Sequence, residues 1–400
     1  MPKIYKDKNV LEAALERYDI IFSDFDNIYL SVSAGKDSSV MLQLAARKAM
    51  EHGKTIDILF IDLEGQYQAT IEHLEELLST YSDAIRQVYW VCLPISLRNA
   101  VSVLQPKWIC WDKADQNKWI REMPSHDSVI NEANCPFNWF RNGMEFEEFT
   151  PLFAKWYCEL HGEPCAAGIG IRSDESLNRF RTIISQNKVR YKNYPWTTQG
   201  KIGAKHINVY NFFPIFDWRT EDIWGAVSQL GLLQNDIYEL MYKNGLSIHE
   251  QRLCQPYGDD QRNGLDQFKS LEADTWEKVL ARVNGVNFGN IYARSSLLGN
   301  LTSEKPEQLT WEQYAVYLLE SIGMYAPELE DHYYRKIKTF MGWWEKNGVQ
   351  DIEEEGTKQE EAQKQKPSWR RIARAIEKND FWMKRLSFSS TKSDVEKLNA

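Results

Sequence analysis

No apolar run in the 400-residue chain approaches the roughly 20 residues a membrane helix needs. The opening residues Met1-Pro2-Lys3-Ile4-Tyr5-Lys6 lack the apolar core of a signal peptide, so the expected location is the cytoplasm. Cysteine is scarce and scattered: Cys92, Cys110, Cys135, Cys158, Cys165 and Cys254 form no Cys-x-x-Cys pair. This excludes the spacing of a zinc ribbon or a thioredoxin-like redox pair. An iron–sulfur cluster would have to gather Cys110, Cys135, Cys158 and Cys165 from separate places. Positive charge is also in deficit, with 48 Lys and Arg against 57 Asp and Glu and a net charge of -9. Indiscriminate nucleic-acid binding is therefore disfavoured, while a local basic patch stays open. The 43% hydrophobic content excludes global disorder, and the length suffices for two or three domains.

The richest stretch is Leu30-Ser31-Val32-Ser33-Ala34-Gly35-Lys36-Asp37-Ser38-Ser39-Val40. Ile28 to Val32 read as a strand, and Val40, Met41, Leu44, Ala45 and Ala49 recur at helical spacing, so the small residues fall at a strand-to-helix turn. Unpaired amides at a helix start, helped by the helix dipole, make such a turn an anion cradle. Gly35 lets the backbone approach phosphate oxygens, Ser33, Ser38 and Ser39 offer hydroxyls, and Lys36 supplies a point charge. Asp37 would repel a bare phosphate, which suggests a bridging Mg²⁺. The plain alternative is an ordinary Ser/Gly turn with a solvated Lys-Asp pair.

The stretch is not a Walker loop, since Leu30 stands where its first glycine belongs and Asp37 follows Lys36. It resembles the PP-loop, Ser-Gly-Gly-x-Asp-Ser, of the ATP pyrophosphatases, the small ATP sulfurylase subunit and the phosphoadenylyl-sulfate (PAPS) reductases. Ser33, Gly35, Asp37 and Ser38 match, and Ala34 replaces the first glycine. That replacement is costly if the turn needs φ > 0 there. A second segment, Gly170-Ile171-Arg172-Ser173-Asp174-Glu175-Ser176-Leu177-Asn178-Arg179, is similar to the Gly-x-Arg-x-Asp-Glu-x-x-x-Arg segment of the same families. At the carboxyl end of a strand over 166–172, Arg172 and Arg179 would reach the anion held by the first loop. In the plainer reading, Ser173 caps a helix whose first turn holds Asp174 and Glu175.

Between these segments, Ile56 to Ile61, a helix over 69–81 and Val88 to Leu93 continue the alternation expected of a doubly wound, mainly parallel α/β sheet. Asp62 and Glu64 follow the second strand, in the region that borders the adenosine in the resembling families; they are candidates for ribose, metal or acceptor contacts, or caps of the next helix. Residues 100–160 interrupt the pattern with Trp108, Trp111, Trp119, Trp139 and Trp156 among Lys107, Lys113, Lys118, Arg121 and Arg141. Such an insertion can close over a nucleotide or stack on a nucleic-acid base, but more often is a private aromatic core, here expected to wall one side of a cleft. Ile207 to Phe216 read as the last core strand, with a helix starting near Thr220.

The expected organisation is a nucleotide-binding domain over 1–260, a helical extension over 261–350, a charged linker over 351–368, and a basic helix and tail over 369–400. Arg252, Arg262, Arg282 and Arg294 are candidates for extra cleft charge, or plain surface residues. Arg370, Arg371, Arg374 and Lys378 lie opposite Trp369, Ile372, Ala373 and Ile376, so the last helix either contacts nucleic acid or a partner, or docks its apolar face on the body. The turn-rich segment 282–292 and the long chain resemble IbrA-type transcriptional co-activators, a group that implies a ParB-like partner.

The resemblance thus implies a PP-loop enzyme binding an adenine nucleotide. ATP would be cleaved to AMP and pyrophosphate to adenylate an acceptor, for modification or sulfur transfer. Lys36, Asp37, Arg172 and Asp174 form the expected catalytic set, Asp37 also placing Mg²⁺; Ser33, Ala34, Gly35, Ser38, Ser39, Asp62, Glu64 and Arg179 contact the nucleotide. Two alternatives remain: a PAPS-binding protein without the carboxyl-terminal Glu-Cys-Gly-x-His segment of the reductases, and a nucleotide-responsive regulator acting with the ParB-like partner.

Overall fold

A computed structural model of the chain describes residues 7–99, 105, 107–162, 164–184, 188–253, 255–258, 265–283, 305–306, 308–323, 327–349, 351–357, 360, 366–377, 380 and 383–387. Cys254, Arg262, Arg294, Lys378 and most of the 282–292 segment lie outside these residues. The chain divides into two compact units: Met1–Leu97 with Ile109–Gln255 and Lys269–Lys278, and Arg98–Trp108 with Pro256–Phe268 and Val279–Ala400.

The first unit is built on a seven-stranded sheet. Its strands are β1 (Asn27–Ser31), β2 (Ile56–Ile61), β3 (Ile85–Val91), β4 (Val129–Ile130), β5 (Cys165–Ile169), β6 (Thr197–Ile202) and β7 (Lys205–Phe212), in the spatial order β4-β3-β2-β1-β5-β7-β6. Every neighbouring pair is parallel except β6 with β7. The central strands are apolar along most of their length because helices cover both faces, and β2 is buried at every position. Helix α1 (Val10–Asp24) precedes β1, α2 (Lys36–Glu51) links β1 to β2, and α3 (Gln68–Thr80) links β2 to β3. Helix α4 (Phe146–His161) leads into β5, and α5 (Leu177–Ile184), α6 (Thr220–Leu230) and α7 (Ile237–Lys243) follow in order. Val40, Met41, Leu44, Ala45 and Ala49 of α2 are all buried, as their spacing predicts.

The last core strand is shorter than expected, ending at Phe212, and it has an antiparallel partner in β6 that the sequence pattern hides. Thr197-Thr198-Gln199-Gly200-Lys201 is too polar to show an apolar alternation, as suits an edge strand. The chain reverses at Gly203, whose φ of +58° is one that glycine adopts without strain.

From β1 the chain moves outward to β2 and β3 on one side, while β5 pairs with β1 on the other. The sheet therefore has its switch point between β1 and β5, where Ser31 is in register with Ile169. In open α/β sheets this crevice at the carboxyl ends of the strands is where ligands sit.

The 100–160 insertion, where it belongs to this unit, packs as an aromatic core. Phe137 and Trp139 stack at 5.1 Å between ring centres, and Phe137 meets Trp156 edge-on at 4.8 Å.

In the second unit, α8 (Trp311–Gly323), α9 (Pro327–Lys346) and α10 (Trp369–Glu377) share a core that includes Leu318, Tyr333, Phe340, Ile372 and Ile376. The α10 arginines are engaged within the unit. Arg371 is buried and donates to the carbonyls of Arg385 and Lys366, Arg374 pairs with Glu377 at 2.7 Å, and Arg370 pairs with Glu355 at 2.6 Å. Residues 351–357 hold this helix start: the Glu353 and Glu354 carbonyls accept from the Trp369 and Arg370 amides at 2.9 and 3.0 Å. No described helix is long and apolar enough to cross a membrane.

Candidate functional site

The two motif segments meet at the switch point. Ala34 takes the left-handed conformation, φ +54°, and Gly35 is the N-cap of α2. Ser38 Oγ ties the turn together, accepting from the Ser33 amide at 3.2 Å, donating to the Gly35 carbonyl at 3.1 Å, and contacting Ser33 Oγ at 3.1 Å. Ser39 Oγ bonds His73 Nε2 on α3 at 2.9 Å. Burial holds the His73 pKa down to about 4, against the opposing charge of Asp236. The ring is therefore neutral near pH 7, and its 3.8 Å approach to Glu76 is not an ion pair.

After β5, Gly170 presses on the first turn of α2. A Cβ added there would lie 2.9 Å from Ser38 Cα, so only glycine fits this approach. Arg172 follows, 3% exposed. Its Nε donates to Asp37 Oδ1 at 2.5 Å, and its Nη2 to Thr220 Oγ1, at the start of α6, at 3.3 Å. Nη1 is buried and has no hydrogen-bond partner among the described residues. An unmatched guanidinium donor in a closed site costs about 1–3 kcal/mol, and an anionic ligand oxygen would recover it.

Asp37 uses its second oxygen on Lys36 Nζ, 3.2 Å away. One carboxylate thus lies between two cations, and the trio carries a net positive charge. Both Asp37 oxygens are already engaged by cations of the protein. Among the described residues no group of three His, Cys, Asp or Glu side chains is placed to hold a metal ion.

The helix expected from Ser173 begins later, at Leu177. Ser176 is its cap, its Oγ accepting from the Arg179 amide at 3.2 Å. The residues before it form a turn because Glu175 is drawn back to the Arg172 amide at 3.2 Å. Glu175 also pairs with Arg179, and its carbonyl accepts from Arg252 Nη2 at 2.9 Å. Arg179 and Asp174 are exposed, whereas Arg172 points inward.

Asp62 and Glu64 are fully buried and cap no helix. Asp62 accepts from Trp90 Nε1 at 2.9 Å and pairs with Arg121; Glu64 accepts from the Trp111 and Ile120 amides at 2.7 and 3.1 Å. Both carboxylates anchor the aromatic insertion. The amides at the start of α3 are instead met by Glu272, at 3.0 Å from Gln68 and 3.1 Å from Ala69.

Several residues reach the loop from far along the chain. Asn235 Nδ2 donates to the Ala34 carbonyl at 3.3 Å, Tyr238 Oη accepts from the Lys36 amide at 2.9 Å, and the Gln251 carbonyl stands 3.5 Å from Lys36 Nζ. No motif in the sequence signals them, and Asn235 and Gln251 lie among polar neighbours that hide them.

A parallel sheet with a Ser/Gly turn and a buried arginine at its switch point defines a PP-loop protein of the PAPS reductase-like class. Residues 27–244 match the phosphoadenosine phosphosulfate reductase domain, and residues 245–363 match a domain of unknown function, DUF3440. The chain belongs to the phosphoadenosine phosphosulfate reductase domain family. The uncharacterized protein YbdN of Escherichia coli (strain K12) is 40% identical over 395 residues, covering 98% of this chain and 93% of the relative. The uncharacterized protein MJ0066 of Methanocaldococcus jannaschii is 24% identical over 253 residues, 63% of this chain and 41% of its own length. Among solved structures, the PAPS reductase from Candida auris in its phosphate complex aligns with 60% of this chain and 94% of its own, at 12% identity and a TM-score of 0.31. A likeness at that score carries no functional argument, and membership rests on the sequence matches.

Proposed function

We propose that this protein binds an adenine nucleotide through its phosphates at the Ser33–Ser39 loop and acts as a transferase at the α-phosphate. The observation that carries this reading is the buried Nη1 of Arg172, which has no hydrogen-bond partner among the described residues and is linked to Lys36 through Asp37 at the switch point. Asp37 is the positioning residue: it fixes the guanidinium through Nε and leaves Nη1 for the ligand. In the leading reaction, an acceptor oxygen forms a bond to the α-phosphorus of ATP as the bond to the bridging oxygen breaks. Pyrophosphate leaves with that electron pair, the acceptor loses its proton to solvent, and Lys36 and Arg172 offset the charge that builds on the phosphate oxygens.

The engagement of Asp37 by two cations favours a second reading, in which a phosphosulfate anion is met by Lys36 and Arg172 alone. Calorimetric titration with a non-cleavable α,β-ATP analogue and with PAPS, each with and without Mg²⁺, separates the two. Binding of at least one ligand, weakened about 30-fold in Arg172→Ala, supports the common site. Binding unaffected by that change would refute it.

A further inference from the structure

An acceptor from later in the chain occupies the Lys36 amide that an anion would use, and a second approaches the ammonium that Asp37 also holds. The Lys36 amide, first of the α2 helix, donates to Tyr238 Oη at 2.9 Å, a well-formed bond. The Lys36 ammonium faces the Gln251 carbonyl at 3.5 Å and lies 5.6 Å from the centre of the Tyr238 ring. Tyr238 is 4% exposed and its ring meets Trp224 edge-on at 5.5 Å. A Cβ on Gly35 would come within 3.2 Å of Tyr238 Oη, so the hydroxyl fills the concavity at the helix start.

We infer that Tyr238 is a built-in surrogate for a ligand oxygen, which the nucleotide's phosphate displaces from the Lys36 amide on binding. This deepens the proposed function and rests on it. Tyr238 Oη and the Gln251 carbonyl are neutral acceptors, whereas a phosphate oxygen accepts charge-assisted bonds roughly twice as strong. The Lys36 amide therefore exchanges a neutral partner for a charged one, and binding is weakened by the bond that must first be given up. Tyr238 is a positioning residue: it keeps the amide satisfied in the unliganded protein and sets how tightly an anion must bind to enter.

The test is Tyr238→Phe in the full chain, titrated calorimetrically with inorganic pyrophosphate and with ATP. Loss of the hydroxyl leaves the amide unmatched and vacates the space of one oxygen atom. The variant is expected to bind either anion about fivefold tighter than the wild type while its unliganded Tm falls, a pairing that a purely structural tyrosine does not produce. Equal or weaker binding by a folded variant overturns the inference alone. A wild-type protein that binds neither anion nor PAPS overturns the nucleotide reading and this inference with it. Tyr238→Leu, which also lacks the hydroxyl and keeps an apolar contact for Trp224, provides the same comparison should the phenylalanine variant not fold.

Discussion

Two arginine–aspartate pairs lie at opposite ends of one sheet, one with a buried carboxylate and an exposed arginine, the other with both partners buried. At the amino ends, Asp57 accepts from Arg86 Nε at 3.0 Å and Nη2 at 2.6 Å, and from the Tyr157 hydroxyl at 2.8 Å, while Arg86 Nη1 donates to Asn27 Oδ1 at 3.3 Å. Burial and the Asp57 charge push the Tyr157 pKa far up, so its hydroxyl remains a donor. At the carboxyl ends, Asp37 and Arg172 form the same kind of pair, but Arg172 Nη1 has no described partner. A closed network of this kind serves the fold, and the one left open is where a ligand has something to contribute.

The largest effect that would break this contrast is on stability at the closed end. Asp57→Ala leaves the buried Tyr157 hydroxyl without its acceptor, while the exposed Arg86 turns to water, and should cost about 1–3 kcal/mol in urea denaturation, with unchanged nucleotide affinity in the folded fraction. A comparable loss of affinity would mean that the two ends are not separate in role. Arg172→Ala should act on the ligand instead, lowering affinity about 30-fold.

A pH series sharpens the contrast at the loop itself. With the native His73 pKa held down at about 4, the unfolded chain takes up a proton as pH falls through its ordinary value near 6.5, and the native state does not. The stability that His73 confers is complete above pH 6.5 and drains as pH falls towards 4, by about 2 kcal/mol between neutral pH and pH 5. His73→Gln should flatten that part of the profile. The smallest effect is at Ala34: glycine relieves the left-handed strain but adds freedom to the unfolded chain, leaving a net gain of about 0.5–1 kcal/mol. A lower Tm for Ala34→Gly would show that the alanine methyl packs well enough to outweigh its backbone strain.

Much of the first unit was legible because its signals are local. The apolar runs of β1 and β2, the periodicity of α2 and the Gly35 and Gly170 turns each state their role within about ten residues. The reading that glycine's replacement by Ala34 bears a strained turn also came from the motif, and φ there is +54°. Illegible were the contacts that join distant chain: Tyr238 to Lys36, Glu272 to the start of α3, and the inward turn of Asp62 and Glu64. An acidic residue after a strand looks the same whether it faces a ligand or an indole. Only the folded aromatic insertion decides which.

Gly170 lies against the backbone of Ser38 with no room for even a methyl group. The loop that carries Lys36 and the loop that carries Arg172 therefore share one wall, and neither can yield without the other. The spacing of the two loops is a fixed gauge cut by backbone, within which the Asp37 carboxylate sets the two cations. On the proposed function, a ligand entering this gauge would meet the later chain lying across it, where Tyr238 and Gln251 sit.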